Sequence, residues 1–134
     1  MPETQIVLGF DVSLNRLGVA IGNRITKDAR PLVQINHADK SQRFAQIAAL
    51  IDQWEPEALV VGVPGHPDGE ALPNTGFCRK FANQLRGRFA RPVHEVNENY
   101  SSVAAREMAV SDHRIDAWAA VHILDQYLQQ AKPA

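Results

Sequence analysis

Between Ile6 and Gly22 the chain reads IVLGF, then Asp11, then a short polar stretch, then LGVAIG. Ile6, Val7, Leu8 and Phe10 form a nearly unbroken apolar run. That is the pattern of a strand covered on both faces, and such strands lie at the centre of α/β sheets. The second run begins too soon for a crossover helix, so it must return antiparallel. Asp11 then stands at the carboxyl end of a central strand, where open α/β sheets bind ligands. An acid there is a candidate for metal or phosphate chemistry. Asp11 and Asn15 are equally the residue types that shape a turn.

The rest of the chain alternates in a way that extends this sheet. Pro31 to Ile35 is a third short run, which completes an antiparallel meander with Ile6–Phe10 and Leu17–Gly22. From Ser41 to Trp54, apolar residues at Phe44, Ile47, Ala48, Ile51 and Trp54 share one helical face, and Pro56 stops the helix. Ala58 to Val63 is a buried strand followed by PGHPDGEALPN, a turn-rich loop expected near the active face. Thr75 to Phe89 is predicted as a helix and Pro92 to Val96 as the next strand. Ser101 to Met108 reads as a short helix and Ile115 to Gln130 as the closing one. The expected fold is α/β, a mixed sheet with three leading antiparallel strands.

With 134 residues, 45% of them hydrophobic and 22% charged, the chain is expected to form a single domain over 1–134 with a real core. Cys78 is its only cysteine, which excludes an internal disulfide. No window reaches the roughly 18 apolar residues of a membrane span. The start, MPETQ, has neither the basic flank nor the apolar core of a signal peptide. A cytoplasmic protein with no membrane partner is expected. A net charge of −1 argues against non-specific coating of nucleic acid while leaving room for a local basic face.

Two further acids accompany Asp11. Glu98, in VHEVNENYSS, lies where a strand hands over to a polar turn. If its strand ran beside that of Asp11 and parallel to it, the two carboxylates would share one space, an unfavourable arrangement without a cation. The structural alternative is that Asn97, Glu98 and Asn99 are solvated turn and capping residues. Asp116 lies in the first turn of the last helix and shares a face with Ala119, Ala120, Ile123 and Tyr127. Its simpler account is favourable placement at the positive end of the helix dipole. Taken together, three acids on separate elements are what a two-metal phosphodiesterase requires. Two cations about 3.5–4 Å apart activate water and stabilise the leaving oxygen, and oxygen ligands suit Mg²⁺ or Mn²⁺. The five histidines show no zinc-like spacing, and no Gly-rich phosphate loop or GxSxG elbow occurs.

Between Thr75 and His94 there are five cations, Arg79, Lys80, Arg86, Arg88 and Arg91, and no acid. Phe77, Phe81, Leu85 and Phe89 recur every fourth residue and form the inward stripe of this helix, which turns most of the cations outward. Such a helix is either a solvated face or a phosphate-binding one. Arg16, close to the first acid, is a further candidate phosphate contact.

DVSLNRLGVAIG, VVGVPGHPDG, TGFCRKFANQL, VNENYSSVAA and RIDAWAAVHIL, in this order, resemble the YqgF/RuvX family of pre-16S rRNA nucleases, relatives of the RuvC Holliday-junction resolvases. The resemblance covers nearly the whole chain. It implies an RNase H-like fold, a mixed five-stranded sheet with helices on both faces. It also implies metal-dependent cleavage at the 5′ end of precursor 16S rRNA, with contact to the ribosome, by a monomer or homodimer. The family's three acids fall on Asp11, Glu98 and Asp116. In this reading Asp11 bridges two Mg²⁺ or Mn²⁺ ions, Glu98 and Asp116 complete their shells, and Arg16, Arg79, Lys80, Arg86 and Arg114 face the nucleic acid.

The chain departs from the family pattern where Ser13 replaces a glycine, and where Asn97 and Asn99 flank Glu98 in place of an acid and an arginine. Those departures motivate a rival, an RNA-binding assembly factor with weakened catalysis. A second rival is a Holliday-junction resolvase-like DNA endonuclease, which needs paired sites and hence a dimer. An actin- or hexokinase-like nucleotide binder needs two such domains, more than 134 residues supply.

Overall fold

The computed structural model describes residues 5–12, 16–35, 40–64, 75–98 and 115–130. β1 (Ile6–Val12), β2 (Leu17–Asn23) and β3 (Asp28–Ile35) are followed by α1 (Lys40–Trp54) and β4 (Ala58–Pro64). After these come α2 (Thr75–Phe89), β5 (Val93–Glu98) and α3 (Ile115–Gln130). The five strands form one sheet in the order β3-β2-β1-β4-β5. β1 to β3 are the expected antiparallel meander, and β4 and β5 add parallel to β1. The loop after β4 and the short helix expected at Ser101 to Met108 lie outside the described residues.

The two faces of the sheet are covered differently. On one, Leu8, Phe10 and Val12 of β1 pack with Phe44, Ile47 and Ile51 of α1 and with Cys78, Phe81 and Leu85 of α2. Phe81 anchors this layer, edge-on to Phe10 at 6.0 Å and stacked with Phe44 at 5.8 Å. Aromatic pairs of this kind each contribute about 0.5–1.5 kcal/mol beyond area burial. The stripe Phe77, Phe81, Leu85, Phe89 does face inward, although its end members are only partly buried.

The other face is built from small residues. Val7, Ala20, Ala58 and Val60 meet Ala120, Ile123, Leu124 and Leu128 of α3. A Cβ at Gly9 would lie 2.9 Å from Leu124 Cβ and 3.2 Å from the carbonyl oxygen of Ala120. α3 therefore rests almost on the backbone of β1. It runs antiparallel to β1, and its first turn hangs over the end where β1, β4 and β5 finish.

Candidate active site

Strand register fixes where the predicted acids stand. Phe10 pairs with Val61 across β1 and β4, while Gly62 pairs with Val96 and Pro64 with Glu98 across β4 and β5. Asp11 is thus level with Gly62 and Val96, and Glu98 lies two residues further out. β1 and β5 run parallel, but β4 lies between them, so the side-by-side condition under which the two carboxylates would share one space is not met. Positions 11 and 98 are therefore about 10 Å apart across the sheet and about 7 Å along it. The two positions are thus not neighbours on the sheet. β5 also extends to Glu98 itself, which ends a strand instead of opening a turn.

Alternation along the strands decides the face. Val7 belongs to the α3 layer and Gly9 abuts α3, so half-buried Asp11 has the same parity and lies one step nearer the start of that helix. In β5, Val96 packs in the α3 layer, and the His94 ring lies 5.0 Å from the Tyr127 ring, which gives position 98 the same parity. Position 116 is one turn before Ala120, the residue whose carbonyl closes on Gly9. Positions 11, 98 and 116 thus share one end of the sheet and its α3 side. The helix amino terminus there favours negative charge. Among the described residues no three His, Cys, Asp or Glu side chains form a metal-sized group, and the side chains at 98 and 116 are not among those described.

The basic helix divides along its length. α2 leaves the end where β4 finishes, so Arg79 and Lys80 lie toward the acids and Arg86, Arg88 and Arg91 toward the far end. The sequence segment has no internal acid, yet Glu95 of β5 supplies one. It lies 3.7 Å from Arg79 Nε and 3.1 Å from Arg86 Nη2. Arg86 also donates to the Val93 carbonyl at 2.9 Å and to Asn83 Oδ1 at 2.7 Å. Arg88 lies 4.2 Å above the Phe44 ring, and Arg91 Nε donates to the Pro56 carbonyl at 2.9 Å. Much of the basic stripe thus ties α2 to its surroundings. Lys80 and Arg16 are exposed, and Arg114 lies outside the described residues.

Arg43 is the residue the sequence reading missed. Only 3% exposed, it is the buried charged side chain of the described core, and its Nη2 donates to the Arg16 carbonyl at 2.7 Å. Its spacing was a signal, because positions 43, 47 and 51 share the inward face of α1.

Residues 5–130 match the family model for RuvX, described as Holliday junction resolvase. A relative from Paraburkholderia phymatum, named "Putative pre-16S rRNA nuclease", is 47% identical over 91% of this chain and 83% of its own length. A relative of the same name from Ralstonia pickettii is 43% identical over 97% and 91%. Among solved structures, RuvC of Thermus thermophilus in complex with a Holliday junction substrate superimposes with a TM-score of 0.60 at 18% identity, covering 97% of this chain and 99% of that one. The fowlpox virus resolvase bound to Holliday junction DNA gives 0.56 at 10% identity, covering 92% and 97%. At such identities the likeness speaks for the fold, the RNase H-like sheet shared by these resolvases.

Proposed function

This chain belongs to the RuvX family, and from that membership we propose that it is a nuclease hydrolysing phosphodiester bonds in precursor 16S rRNA during ribosome maturation in the cytoplasm. Its relatives' names support the substrate. The observation that carries the chemistry is the convergence of positions 11, 98 and 116 at one end and on one face of the sheet.

Asp11, Glu98 and Asp116 offer only carboxylate oxygens, a donor set that fits a hard divalent cation such as Mg²⁺ or Mn²⁺. Bound there, a cation pair would acidify water and neutralise charge on the leaving oxygen. Arg16, Arg79 and Lys80, at the same end of the sheet, would contact the phosphate backbone where it runs past the acids, with Arg79 shared with Glu95. Arg86 keeps its place between α2 and β5. Three carboxylates at one end of the sheet would favour a bound cation there, and removing one of their charges would cost the fold nothing by electrostatics alone.

The test is cleavage of a precursor 16S rRNA 5′ fragment and of a four-way DNA junction, each with Mn²⁺, Mg²⁺ or chelator. RNA cleavage should disappear with chelator. In Asp11→Asn it should fall by at least about 100-fold, a loss of about 2.7 kcal/mol of transition-state stabilisation. Folding stability in that variant should be unchanged or higher. Binding without cleavage by the folded protein would instead support the assembly factor that Ser13, Asn97 and Asn99 suggest. Preference for the junction would support the resolvase.

A further inference from the structure

The charged side chain buried on the side of the sheet away from the acids needs its own account. Arg43 lies on the inward face of α1, in line with Ile47 and Ile51, where a leucine would pack without the desolvation a guanidinium suffers. Burial pushes its pKa below the ordinary arginine value, so the fold works against its charge at this position. Its Nη2 donates to the carbonyl of Arg16 at 2.7 Å, a charge-assisted bond across 27 positions of sequence.

The carbonyl it holds is a particular one. Arg16 immediately precedes β2, and Val12 and Leu17 are the last pair of the β1–β2 ladder, next to the pair Asp11 and Gly18. The opposite stem is held from α2, where the Cys78 thiol donates to the Val12 carbonyl at 3.8 Å. Both strand ends that flank positions 13–15 are thus gripped from the α1 and α2 side, while Asp11 has the parity of the α3 side. A side chain on one face of the sheet can in this way set the backbone that aims a carboxylate on the other.

We propose that Arg43 is a positioning residue for the active site. Through the Arg16 carbonyl it locks the β1–β2 stem, and thereby the orientation of Asp11, without touching substrate. Cys78 is the weaker second clasp. The orientation step rests on the nuclease reading of Asp11, and the stem-locking step does not.

The experiment separates the two. Amide hydrogen exchange is measured on Arg43→Met, Arg43→Lys and the unaltered protein, beside the Mn²⁺ dependence of RNA cleavage and calorimetric Mn²⁺ binding. Arg43→Met should speed exchange at Val12 and Leu17–Gly18 by about tenfold or more while amides of β4 and β5 keep their protection. Arg43→Lys, which retains a charge but not the planar fork, should fall between. The Mn²⁺ concentration for half-maximal cleavage should rise in the same order, with RNA affinity unchanged. Exchange that is unaltered at the stem, or that speeds up uniformly over the sheet, would overturn the proposal. If Arg43→Met does not fold, the lysine variant carries the same comparison with a smaller local change. Full cleavage by Asp11→Asn would sink the nuclease site while the exchange data still decide the role of Arg43.

Discussion

At the end of the sheet where β4 and β5 begin, residues 55–57 lead from α1 into β4 and residues 90–92 from α2 into β5. At the opposite end the connections are positions 13–16, 36–39, 65–74 and 99–114. The short connections are stitched by main-chain bonds, from Glu57 N to the Ile6 carbonyl and from Leu59 N to the Pro92 carbonyl, both 2.9 Å. Arg91 joins the two through the Pro56 carbonyl. Arg24 pairs with Glu57, and Tyr127 lies against His94 at this same end. The acids, by contrast, stand at the end that carries the two longest connections, positions 65–74 and 99–114. One end ties its polar groups to one another and holds the fold, while on the proposed reading the other end carries the acids of the site. Substitutions should segregate accordingly, with those at the closed end changing stability and those at the acid end changing turnover.

The sharpest way to break that division uses two glycines under the same helix. A Cβ at Gly9 would meet Leu124 Cβ at 2.9 Å and the Ala120 carbonyl at 3.2 Å. At Gly22 it would meet the Asp28 carbonyl and Leu124 Cδ2 at 2.9 Å and Leu128 Cδ1 at 3.1 Å. Gly9→Ala and Gly22→Ala should each cost about 1–3 kcal/mol in urea unfolding, because α3 or the hairpin must give way. Gly9 lies two residues from Asp11 and one helical turn from Asp116, so its variant also shifts the acids relative to one another. Measured where both variants are folded, cleavage should fall by up to about 100-fold in Gly9→Ala, as expected for an ångström-scale misplacement, and stay near normal in Gly22→Ala. Equal losses of activity would erase the distinction between the ends.

Much of this arrangement is legible in the sequence, and what is hidden is hidden for physical reasons. α2 reads correctly as Thr75–Phe89 because its apolar stripe is strongly periodic and a proline follows shortly after. The parity of Asp11 with Gly9 and Val7 follows from counting along β1, but only the packing shows that α3 covers that face. The end of β5 at Glu98 is not legible, since its last residues are polar and only pairing with β4 makes them a strand. Nor can chain order reveal that β4 lies between β1 and β5. The Glu95 partner of Arg79 and Arg86 comes from another element, so charge counted within a helix misses it. Arg43 was overlooked because a charge on a helix is read as outward, although its spacing from Ile47 and Ile51 says the reverse.

A smaller effect should appear only at the closed end. Ala90 follows α2 with φ of 49°, a left-handed conformation in which a Cβ is strained, and Glu55 follows α1 with φ of 46°. Both occupy the helix-ending position that glycine fills best. Ala90→Gly removes a Cβ penalty of about 1 kcal/mol and returns part of it as unfolded-chain entropy. The net gain should be about 0.5 kcal/mol, read as a higher urea midpoint with unchanged cleavage. A change in turnover would show that the short connection into β5 communicates with Glu98 at its far end.

The finest probe of the closed end has no pH-dependent effect at neutral pH. Burial raises the pKa of the Tyr127 phenol above its ordinary value, the Glu57 carboxylate raises it further, and Arg24 opposes both. The folded protein then holds the phenolic proton more tightly than the unfolded chain does. Stability from this source is fully present below the ordinary tyrosine value of about 10. It is lost as pH rises from there through the raised folded value. Phenylalanine has no proton to lose, so the stability difference between Tyr127→Phe and the unaltered protein should stay constant through neutral pH. It should then move in favour of the variant on the alkaline side. In Glu57→Gln, which removes the carboxylate contribution but not the burial, the alkaline decline should be shallower than in the unaltered protein. Parallel curves for Tyr127→Phe and the unaltered protein up to strong alkali would mean that Tyr127 is no more shielded folded than unfolded, and that the closed end is held by its main-chain bonds alone.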